Sequence, residues 1–86
     1  MSRQKELNDK RREIYGAIVA LTKEDKLHRP PSQSMVARRV CMTNTRTRLH
    51  LLALKAMGYI NWEYGEERSL YVVKPLPAPA AVHEGA

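Results

Sequence analysis

The stretch "TNTRTR", Thr43 to Arg48, gathers amide, hydroxyl and guanidinium groups just ahead of an apolar run that reaches Met57. Asparagine offers a donor and an acceptor side by side, and arginine a planar fork of donors. These shapes match the edges of adenine and of guanine. Threonine reaches phosphate oxygens or lays its methyl group on thymine. Residues of these types, packed at one end of an apolar segment, suit recognition of a polyanion with readable edges rather than bond-breaking.

Catalysis has little to build on. Cys41 with His28 or His50 supplies a nucleophile and a base by type, but nothing orients one toward the other. No glycine loop cradles phosphate and the acids are scattered. Three histidines and one cysteine without paired spacing make a poor zinc site. The expectation is a protein that is not an enzyme, with no metal, no other cofactor and no small-molecule ligand. A lone cysteine allows no intrachain disulfide, which fits a reducing, cytoplasmic setting. No apolar run approaches the roughly 20 residues that span a bilayer, and the charged start "SRQKELNDKRRE" lacks the apolar segment of a secretory signal.

The elements that must carry the 43–48 cluster follow from periodicity. "RQKELNDKRREIYGAIVALTKEDK" places Leu7, Ile14, Ile18 and Leu21 on one helical face, with Tyr15 and Val19 beside it. Gly16 in that helix is expected to mark close packing against another backbone, and Lys10, Arg11 and Arg12 to form a solvated face. "HRPPSQS" ends the pattern at its prolines, and Ser32 then caps a short second helix, "QSMVARRV", that buries Met35, Val36 and Val40. Thr43 caps a third helix, closed near Met57 by Gly58. "YINWEY" and "SLYVV" alternate with period two around "GEER" and predict a hairpin. The tail from Pro75 repeats proline and small residues, and an extended, mobile terminus is expected there. The fold class is therefore α+β, three helices followed by a two-stranded hairpin, over residues 1–74 with a tail at 75–86.

At 86 residues this is one domain with one modest core. The formal charge is +6 and the pI about 9.8, within the range that flags nucleic-acid binding. The charge is lopsided: up to His50 there are twelve Lys and Arg against five acids, and beyond it three against four. Such asymmetry makes an oriented field that attracts an anionic partner.

"RPPSQSMVARRV" followed by "TNTRTRLHLLALKAMGYI" resembles the prokaryotic winged helix-turn-helix pattern, and within it the DNA-binding domains of LexA-type repressors. The double proline and the "HLxAL" string at His50, Leu51, Ala53 and Leu54 carry the likeness, which spans roughly residues 8–73. The matching core positions are Val36, Ala37, Val40, Thr47, Leu51, Leu54, Gly58 and Ile60. Two positions depart from the pattern: Cys41 stands where a turn glycine is usual and is expected to be a small buried hydrophobe, and Thr47 stands where an aliphatic residue is usual.

The resemblance implies a double-stranded DNA partner, a third helix in the major groove and a role in transcriptional regulation, as a small nucleoid-associated repressor or activator. Thr43, Asn44, Thr45, Arg46 and Arg48 would then face the bases, and Gln33, Ser34, Arg38 and Arg39 the backbone. Arg68 is the one nearby cation on a hairpin that also carries Glu63, Glu66 and Glu67, so a DNA contact by that wing has weak support. Leu49, Leu52, Ala53 and Ala56 form a second apolar stripe on the third helix, and Leu49 and Leu52 are candidates for a homodimer contact. The rival readings are a winged-helix adaptor that binds protein and an origin-binding replication accessory. RNA is a lesser rival, since the aromatic residues alternate within the hairpin as strand and core residues do.

Overall fold

The computed structural model describes residues 8–77. Three helices, α1 (Asp9–Glu24), α2 (Gln33–Arg39) and α3 (Asn44–Ala56), precede two short antiparallel strands, β1 (Ile60–Asn61) and β2 (Tyr71–Val72). This is the α+β order of three helices and a hairpin expected from the periodicities, and it matches a winged-helix layout. Leu7 and the tail from residue 78 lie outside the described residues.

Each helix begins on a side-chain cap. Asn8 accepts the Arg11 amide at 2.9 Å, Ser32 the Met35 amide at 3.1 Å, and Thr43 the Arg46 amide at 3.1 Å. At α2 the Met35 sulfur also accepts the Ser32 amide at 3.5 Å, so the two residues satisfy one another's free donors. The helices α2 and α3 end alike. Cys41 and Gly58 both take left-handed backbone, with φ of 57° and 86°, and the following residue, Met42 or Tyr59, returns its amide to Ala37 or Leu54. Cys41 is thus an exposed residue performing a glycine's turn, not the buried hydrophobe expected. The left-handed geometry aims its side chain away from the core.

Ile14, Ala17 and Ile18 of α1 meet Val36 and Val40, Leu51 and Leu54 of α3, and Ile60, Trp62 and Leu70 around the hairpin. Each fully buried Ile or Leu contributes about 1.5–3 kcal/mol. Two expectations for α1 are corrected. Gly16 is exposed, and a Cβ built there meets no described atom within 4 Å, so it marks no close approach. Arg11 is only 7% exposed, turned inward by its place on the face shared with Ile14 and Ile18. Met35, expected in the core, is half-buried.

The strands are shorter than the alternation predicts because side chains take over the backbone bonding. Asn61 Oδ1 accepts the Trp62 amide at 2.8 Å, and the Ser69 hydroxyl accepts the Glu63 amide while reaching the carbonyls of Glu63 and Glu66. A further pairing joins the hairpin to the chain ahead of α2: Ser32 bridges Arg68, and the Leu70 amide donates to the Pro31 carbonyl at 3.2 Å. After β2 the chain runs back along α1, where the Tyr15 hydroxyl donates to the Lys74 carbonyl and Arg12 to the Pro77 carbonyl, each at 2.9 Å.

Candidate nucleic-acid interface

The third helix has two unlike sides. Thr47, Leu51 and Leu54 are wholly buried, which pins one ridge of α3 in the core. Asn44, Thr45, Arg46, Arg48, Leu49 and Leu52 are exposed, and together they make the arc that solvent sees. The Thr43 oxygen is occupied by its capping bond, and the first amides of α3 stand at the positive end of the helix dipole.

The cations of the sequence have different fates. Arg48 donates to Gln33 Oε1 at 3.2 Å, which ties the start of α2 to the exposed side of α3. Among the described residues Arg38, Arg46 and Arg48 have no carboxylate partner. Arg39 instead grips Glu24 with two bonds of 2.8 and 2.9 Å, and this hydrogen bonding holds the Glu24 carboxyl below its ordinary range and raises the guanidinium. Arg68 is half-buried; its Nε donates to the Pro30 carbonyl at 3.0 Å and a terminal nitrogen lies 3.4 Å from Asp25. Arg38 and Arg39 border a shallow depression with Leu21 and Met35, and Ser34 is exposed on α2.

The sequence matches no model of a known protein family, and no curated protein matches it either.

No sequence motif singles out Lys55. Its ammonium lies 4.4 Å from the centre of the Trp62 ring and 4.5 Å from that of Tyr64, and it donates to the Tyr64 hydroxyl at 3.3 Å. The cation clasps the hairpin to the end of α3. Nothing in the linear pattern marks it, since the two aromatic rings become its neighbours only when the hairpin folds back. Glu63, Glu66 and Glu67 are exposed on that hairpin, so its outer surface is acidic where α3 begins basic.

Proposed function

We propose that this chain binds double-stranded DNA, with α3 entering the major groove by its N-terminal half, and that it serves as a small transcriptional regulator. The observation that carries the proposal is the division of α3. Asn44, Thr45, Arg46 and Arg48 stand exposed on a helix whose opposite ridge, Thr47, Leu51 and Leu54, is buried. A rigidly anchored rod with an amide and two guanidiniums on its free side has the shape and donors that major-groove reading needs. The resemblance of residues 8–73 to LexA-type DNA-binding domains supports the same reading.

Arg46 and Asn44 are the proposed base readers, Arg48 a third held in line by Gln33, and Ser34 and Arg38 backbone contacts. Arg39 and Arg68 are committed to Glu24 and Asp25, so either joins a phosphate only by sharing or leaving its carboxylate. A binding role, not an enzymatic one, is proposed, in the cytoplasm at the nucleoid.

Leu49 and Leu52 are 64% and 38% exposed. They share the exposed arc with Thr45 and Arg48, so a homodimer built on them would compete with groove insertion. On the DNA Leu52 would lie against thymine methyl groups. The second reading is a protein adaptor, favoured by the acidic hairpin surface and by Leu49.

Selection of binding sites from random duplexes, followed by salt titration, tests the proposal. The expected result is a recovered motif, affinity that falls steeply with salt, and a loss of about 1–3 kcal/mol with relaxed choice at one base for Arg46→Ala. No motif and no salt dependence would favour the adaptor, and sedimentation of free chain and complex reads the dimer directly.

A further inference from the structure

We propose that the concavity between the start of α1 and the flank of α3 seats a phosphodiester of the DNA backbone, beside the tract that α3 reads. This inference rests on the DNA-binding reading above and adds a contact to it. Arg11, Arg46, Leu49, His50 and Ala53 line the concavity, whose volume is about 410 Å³. Arg46 stands at its lip, common to this hollow and to the reading arc. Leu49 and Ala53 supply an apolar wall of the kind a deoxyribose ring packs against, and the cations supply the attraction for the phosphate attached to it.

Among the described residues, Lys10 and Arg11 on α1 and Arg46 on α3 act on the His50 imidazole, all three with positive charge. Of the acids near the start of α1, Glu13 accepts from Lys10 at 3.2 Å, and Asp9 stands exposed in the first turn. His50 Nδ1 is buried and has no hydrogen-bond partner among the described residues. Burial first, and then Arg11, Arg46 and Lys10, hold the imidazole below its ordinary value, which favours its neutral form in the free protein. An anion in the hollow reverses that balance.

The consequence is proton uptake on binding. A phosphate beside His50 favours the imidazolium, so its titration moves up and duplex affinity rises as pH falls through the bound-state value. The gain is tenfold for each pH unit of that movement. Inorganic phosphate offers the same chemistry from another source.

The test follows the His50 imidazole by NMR between about pH 5 and 8. Three samples of the full chain are compared: alone, with a mixed-sequence duplex of about 20 base pairs at low salt, and with inorganic phosphate. The expected result is that the duplex raises the His50 midpoint, and that His50→Gln removes the pH dependence of duplex affinity. If the duplex binds with steep salt dependence while the His50 midpoint stays put, this contact is wrong and the DNA reading survives. If the duplex does not bind at low salt, both fall. If phosphate alone moves His50 and the duplex does not, the hollow is a free-anion pocket and the assignment to the DNA backbone is overturned.

Discussion

Thr47 carries a hydroxyl into the interior of α3, fully buried and without a hydrogen-bond partner among the described residues. A hydroxyl stranded in this way costs about 1–3 kcal/mol relative to a methyl group of the same shape. Thr47→Val keeps the β-branched outline and removes the stranded group, so it is expected to raise the urea midpoint by an equivalent of about 1 kcal/mol with an unchanged slope. Duplex binding should be unaffected, since the side chain faces the core. A lowered midpoint would mean that the hydroxyl is bonded in solution. The same scale explains Cys41. Its position as a turn residue was legible, because the sequence likeness sets a glycine there, but its exposure was not, because residue type alone makes cysteine a candidate for burial.

At the scale of the elements, α1 holds an exposed glycine in the middle of its length. Gly16 spends backbone entropy and packs against nothing described. Gly16→Ala is expected to stabilise the protein by about 1 kcal/mol and to raise Tm by roughly 4–8 °C, read by circular dichroism. Destabilisation would instead point to a contact at this face. The helix α2 is too short to persist alone, and its seven residues rest on the Ser32–Met35 exchange at one end and the Cys41 turn at the other. All three helices were readable because caps and periodicity are local. The hairpin was readable as a hairpin but not in its extent, since Asn61 and Ser69 replace ladder bonds with side-chain bonds that alternation does not report.

For the whole molecule, Asp25 joins the end of α1 to the connection before α2 and to the hairpin. It accepts from the Leu27 and Arg29 amides and from the Arg29 guanidinium, with Arg68 at 3.4 Å. The Arg29 side chain, then its amide, hold the Asp25 carboxyl well below the usual carboxylate range. A depressed folded value stabilises the protein above the unfolded value, about pH 3.9, and that contribution drains away as pH falls from there. Tm should therefore drop below about pH 4 more steeply for the native chain than for Asp25→Asn, which starts lower and has less to lose. Equal slopes in a thermal series would count against this role.

The three helices, the Ser32 and Thr43 caps, the core-facing ridge of Thr47, Leu51 and Leu54, and the basic start of α3 were determined by the sequence itself, because each depends on residues within a turn or two of one another. The tertiary structure alone decided which cations stay available. Arg39 and Glu24 lie fifteen residues apart, and Arg68 and Asp25 forty-three. Only folding brings such pairs within reach, as it brings Arg11 of α1 beside His50 and Arg46 of α3. Charge counted along a chain measures attraction for a polyanion; the distribution of partners in space settles which side chains are left to act on it.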